Sequence, residues 1–93
     1  MPEVDPAELD RLGHAIRVRR HTLRLSQERA ASSSGLHRNY VGALERGEIN
    51  PTYATLLRIS SGLQIPLDRL IANAHRDDKD ENEPSEQRAA RKR

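Results

Sequence analysis

The chain contains no cysteine, no tryptophan and no phenylalanine, and its only aromatic side chains are two tyrosines. Without thiols it has no disulfide and no thiolate metal site, and a reducing cytoplasm is the natural setting. Without large aromatics the core must be built from Leu, Ile, Val and Ala, which suits short, closely packed helices. No apolar run approaches the roughly 20 residues of a membrane span. The opening MPEVDPAELD has neither a basic start nor an apolar stretch, so it does not read as a signal peptide. Four histidines invite a metal, but there is no HxxxH pair, and His14 and His21 lie seven residues apart, too far along one helix to share an ion. Serine, histidine and aspartate occur without a glycine elbow or phosphate loop to frame them, so neither an enzyme nor a cofactor is expected.

What remains is a small basic domain with a charged end. At 93 residues it is one domain, and a domain of this size buries only about 60% of its unfolded surface. The net charge of +2 is unevenly spread: residues 8–72 carry ten arginines and six acids, whereas residues 73–93 carry six charges of each sign. The part able to fold is therefore the basic part, which suits a polyanionic partner.

The helix signals are strong and local. Asp5-Pro6-Ala7-Glu8 is a helix start, with an acid cap, proline in the first position and glutamate three residues after the cap. Leu9, Leu12, Ile16 and Leu23 then recur at helical spacing to about Thr22. Ser26 caps a second helix that Gly35 ends, and Arg38 opens a third that Gly47 ends. Asn50-Pro51 forbids continuation, Thr52 caps a fourth helix carrying Leu56, Leu57, Ile59 and Leu63, and Pro66 opens a fifth with Leu67, Leu70 and Ile71. No segment alternates with period two for long enough to argue for a strand. The expected fold is all-α, a compact five-helix domain over residues 6–73. Residues 1–5 are expected to form a flexible lead, and residues 74–93, nearly devoid of apolar side chains, a disordered charged tail.

The helix pair from Ser26 to Gly47 carries the chemistry. Ala31 is small enough for the next helix to cross closely, and Leu36, Val41 and Leu44 point back at it. Arg38, Asn39, Gly42 and Ala43 then face away. Arginine forks onto guanine, asparagine pairs with adenine, and alanine meets the thymine methyl, while glycine lets the backbone come close. A helix offering these groups is suited to a DNA major groove.

The string Ile16-Arg17, Arg20, Ser26-Gln27, Ala31, Gly35, Tyr40-Val41, Leu44-Glu45-Arg46-Gly47, Asn50-Pro51, Leu56, Ile59, Leu63 and Leu70 resembles the helix-turn-helix of the phage-repressor (Xre/Cro-like) family of transcriptional regulators. The resemblance runs from about Leu12 to Ile71. The GLHR and ERGEINP segments resemble small single-domain members, among them restriction–modification controller proteins. The resemblance implies a homodimer on a near-palindromic double-stranded operator, a cytoplasmic and nucleoid-associated location, and DNA-backbone contacts from Gln27, His37, Tyr40, Asn50, Thr52 and Tyr53. Tyr40 is equally read as a packer at the rim. The resemblance also implies an ion pair between Arg20 and Glu45 and a dimer face from Ile65, Leu67, Leu70 and Ile71 on or beside the last helix. Glu28 is read first as an acid favourable at a helix N-terminus, and second, as in activating members of the family, as a contact to a partner, RNA polymerase. Ala30, Ser60, Gly62 and Gln64 depart from the pattern, which has leucine, alanine, alanine and glycine there, so a loosened core is expected. A rival reading is a protein-interaction module, an antitoxin or transcription coactivator on the same fold. The exposed Arg38-Asn39 face favours DNA over it, and an RNA-binding role lacks aromatic stacking platforms.

Overall fold

The computed structural model describes residues 4–81, and their side chains as far as Arg76. Four of the five helices begin where a side chain accepts from one of their free N–H groups. The Asp5 carboxylate accepts from Ala7 N–H at 2.9 Å and opens α1, Pro6–Thr22, with Pro6 placed where no N–H is needed. Ser26 Oγ accepts from Arg29 N–H at 3.0 Å and opens α2, Gln27–Ser34. His37, through Nδ1, accepts from Asn39 N–H at 3.3 Å and opens α3, Arg38–Glu45. Thr52 Oγ1 accepts from Thr55 N–H at 3.1 Å and opens α4, Tyr53–Gly62. The last helix, α5, spans Leu67–Glu81, and the Pro66 carbonyl just before it accepts from Arg69 and Leu70 at 3.0 Å each. No strand occurs among the described residues.

The core is aliphatic throughout. Ile16 of α1, Val41 and Leu44 of α3, Ile59 of α4, Leu63 just after it and Leu70 of α5 are fully buried, and α2 adds Ala30 and Ala31. Burying one such branched side chain contributes about 1.5–3 kcal/mol. Helix α1 lies against α3 and α5, while α2 lies against α3 and α4. That arrangement fixes the α2–α3 corner from both sides and leaves its outer face to solvent.

The structure corrects several expectations. The last helix does not stop at residue 73 but continues to Glu81, and Ala74 is buried in the core. The reason is periodic: Leu67, Leu70, Ile71 and Ala74 fall on one stripe, and Ala74 needs only a small space. His75 Nε2 lies within hydrogen-bond distance of a Glu8 carboxylate oxygen, 3.3 Å across to α1. Residues 82–93 of the expected tail, and 1–3 of the expected lead, lie outside the described residues; Asp5 of that lead is the α1 cap.

Ile65 and Leu70 cannot offer a dimer face, because they are 9% and 0% exposed within their own chain. Leu67 and Ile71 are half-buried against the core and retain outward surface. Gly62 does not loosen the core. A Cβ there would lie 2.8 Å from Ser34 Cα and Ser34 N, so glycine is what lets α4 press on α2. Gln64 has φ 56, the left-handed conformation in which the pattern uses glycine, so its departure lies in the residue and not in the backbone.

Candidate nucleic-acid interface

Beneath the α2–α3 corner lies a charge network centred on Glu45, whose side chain is fully buried. Arg20 of α1 forks onto it, Nε donating to Oε2 at 2.6 Å and Nη2 to Oε1 at 3.0 Å. Arg20 Nη1 also donates to the Leu25 carbonyl at 2.9 Å, which ties the loop before α2 to the same point. Arg17 reaches Oε1 at 3.4 Å and Gln27 Nε2 donates to it at 3.1 Å. Burial alone pushes the Glu45 carboxyl up. The hydrogen bonds from Arg20 and Gln27, the Arg20 charge and the Arg17 hydrogen bond outweigh it, and the group stays ionised below the ordinary value of 4.5. The network therefore joins α1, α2 and α3 and sets where Gln27 sits.

Above it, Gln27, Arg38, Asn39, Gly42 and Arg46 line an open polar cleft of about 290 Å³. Arg38, Gly42 and Arg46 follow one another in steps of four along α3, so they share a stripe. Arg38 and Asn39 are exposed at the mouth of this cleft. Gly42 is buried beneath it: a Cβ there would stand 3.1 Å from Arg46 Nη1 and 3.6 Å from Gln27 Oε1. Its missing side chain makes room for those two residues. Ala43 is half-buried and does not line the cleft.

The remaining expected contacts divide by what already occupies them. His37 uses Nδ1 as the α3 cap, so in its neutral form Nε2–H is its free donor. Thr52 is committed locally, accepting from Thr55 N–H and donating to Thr55 Oγ1 at 3.1 Å. Tyr40 is half-buried against the core, as a rim packer is. Asn50 lines an apolar groove of about 180 Å³ with Leu9, Leu12, Pro51, Leu56 and Ile71, away from the polar cleft. Tyr53 is 69% exposed and Glu28 is exposed on the first turn of α2.

Two arginines of consequence were not legible as such. Arg46 belongs to the cleft, and its step of four from Gly42 was the available signal, obscured because ERG reads first as a helix end. Arg19 closes the end of α4, donating from Nε to the Leu63 carbonyl and from Nη2 to the Gln64 carbonyl, both at 2.9 Å. Nothing in sequence spacing announces that contact across 44 residues. Among the described residues, no group of three or more His, Cys, Asp or Glu side chains is placed to hold a metal ion, and no helix is long and apolar enough to cross a membrane.

Comparison with known proteins agrees with this geometry. The Helix-turn-helix family model matches residues 16–70, more than half of the chain. The chain is 38% identical over 74 residues to the control protein C.SmaI of Serratia marcescens, covering 76% of this chain and 88% of that one. It is also similar in structure to the restriction–modification controller protein C.AhdI from Aeromonas hydrophila, with 39% identity, a TM-score of 0.67, and coverage of 69% of this chain and 97% of that one. An HTH_3 family transcriptional regulator from Vibrio cholerae shares 31% identity at a TM-score of 0.71, over 75% of this chain and 39% of its own. With a family model matched over most of the folded residues, the chain belongs to the helix-turn-helix family of sequence-specific DNA-binding transcriptional regulators.

Proposed function

We propose that the chain acts as a homodimer on a near-palindromic operator, each copy setting α3 into one of two successive major grooves about 34 Å apart. The observation that carries this reading is the cleft in which Arg38 and Asn39 stand exposed beside Gln27 and Arg46. Arg38 forks onto a guanine edge and Asn39 pairs with adenine. Gln27 and the free N–H groups of the α2 N-terminus meet a phosphate, with His37 Nε2–H as a further donor. Tyr53 sits close by in sequence to the α4 cap and supplies a hydroxyl to the backbone.

Dimer formation rests on apolar surface that a lone domain leaves uncovered. Leu67 and Ile71 keep outward area, while Leu57 is 44% exposed one helical turn from Tyr53. Glu28, beside Gln27 at the edge of bound DNA, is the contact to RNA polymerase in this scheme. C.SmaI is a control protein and C.AhdI a restriction–modification controller; the same regulatory class is proposed for this chain. Selection of binding sites from random duplexes tests the reading. The parent is expected to enrich a two-fold symmetric site, and Arg38→Ala to lose preference at one base pair in each half while keeping its fold. Identical base preferences for the two proteins would contradict the role given to Arg38.

A further inference from the structure

Glu48 is an acid at the edge of a cleft otherwise suited to DNA, a placement that works against phosphate. It forms a two-point fork with Arg46: Nε donates to Oε2 at 2.8 Å and Nη2 to Oε1 at 3.1 Å. Both side chains are 54% exposed, and a surface pair of this kind adds little to stability. The hydrogen bond from Arg46, and then its charge, hold the Glu48 carboxyl below the ordinary carboxylate value. The acid is therefore charged at neutral pH and tied to one partner. A guanidinium has five N–H groups. Glu48 takes the side-on pair, Nε–H and one on Nη2, and leaves both hydrogens of Nη1 and the other of Nη2. That free end-on edge is a second fork of the shape that guanine O6 and N7 accept. Nη1 lies over Gly42, where a Cβ would stand 3.1 Å away, so this edge borders the cleft that holds Arg38 and Asn39.

From this geometry we infer that Glu48 is a positioning residue for base readout: it fixes Arg46 so that its end-on edge meets a guanine in the major groove. The eight-residue step from Arg38 to Arg46, the αR residue that caps α3, is about 12 Å along the helix axis, so the guanine is a different one from that met by Arg38. The acid also disfavours wrong registers, because a shifted complex brings its charge to a phosphate with Arg46 unsatisfied. The inference rests on the DNA-binding reading above and adds two residues to it.

The test compares the full chain with E48Q, R46A and the double variant. Each is measured by binding-site selection and by competition against non-operator duplex, and thermal melting confirms the fold of these surface variants. E48Q is expected to bind non-operator DNA about two- to fivefold more tightly, having lost a negative charge. It is also expected to lose about three- to tenfold of its preference at one G·C pair per half-site. R46A is expected to lose preference at that same pair. In the R46A background, E48Q should change affinity equally for all sequences. If E48Q keeps the parent's preferences, or alters them as strongly without Arg46, the inference is overturned while the DNA-binding reading stands. A parent that selects no site overturns both.

Discussion

Replacing Glu45 by glutamine removes one charge from the centre of the molecule with almost no change of volume. The glutamine carbonyl still accepts one bond, but Arg20, whose side chain is only 11% exposed, keeps its charge with no anion against it. Its bond to the Leu25 carbonyl at 2.9 Å remains and softens the loss. Removing one partner of a buried pair costs about 3–5 kcal/mol; the retained bonds place Glu45→Gln near the lower end, at about 3 kcal/mol. Small domains have only about 5–15 kcal/mol in total, and each kcal/mol shifts Tm by about 4–8 °C. A fall of about 12–24 °C in a circular-dichroism melt at neutral pH is therefore expected. The pH dependence adds a second signature. Because the folded carboxyl lies below its ordinary 4.5, the stability it supplies is complete above that value and disappears as pH falls through the lower folded value. The gap between parent and variant should thus be widest at neutral pH and close in acid. A variant melting within about 2 °C of the parent at pH 7, less than about 0.5 kcal/mol, would refute the view that this network braces the corner.

Gln64→Gly relieves a side chain held at φ 56, where a Cβ costs about 1–2 kcal/mol. Offset by the added freedom of the unfolded chain, a net gain of about 0.5–1 kcal/mol is expected, read as a higher Tm; an unchanged or lower Tm would count against it. Gly62→Ala should lower stability by about 1–3 kcal/mol, since the new Cβ meets the Ser34 backbone at 2.8 Å; a urea midpoint at or above the parent's would show that α2 yields freely. Gln27→Ala should weaken binding to every duplex about equally, because a phosphate contact carries no sequence information, and a mobility-shift series showing altered base preference would contradict that role. Ile71→Glu should shift the chain toward monomer in analytical ultracentrifugation with its fold kept; an unaltered dimer population would move the proposed interface elsewhere.

The fold was legible where its causes are local. Asp5, Ser26 and Thr52 cap helices with their own side chains, and Gly35 and Gly47 both take positive φ at helix ends. The stripe Leu67, Leu70, Ile71 and Ala74 also lay in the sequence, but the surrounding charge hid its continuation, since composition registers solubility and not helix period. What could not be read is what three-dimensional closure decides. Arg20 and Glu45 are 25 residues apart and were paired only through family resemblance. Gln27 joining them, Arg19 closing α4 and Gly62 admitting Ser34 have no counterpart in spacing. At the cleft, Arg38 and Asn39 were visible because an exposed α3 face has a period. Gly42 was assigned to that same face, yet the Gln27 and Arg46 side chains fold over it. Ile65 and Leu70 were read as surface because an apolar last helix suits a dimer as well as a core, and only packing separates the two.

The central claim, that α3 reads major-groove edges in two symmetric halves, is met most directly by guanine-N7 methylation interference on the selected duplex. N7 lies in the major groove, so a methyl there blocks an arginine fork. The expected result is two clusters of interfering guanines about 10 base pairs apart, with one position in each lost for Arg38→Ala. Tight binding that is indifferent to N7 methylation would contradict the account.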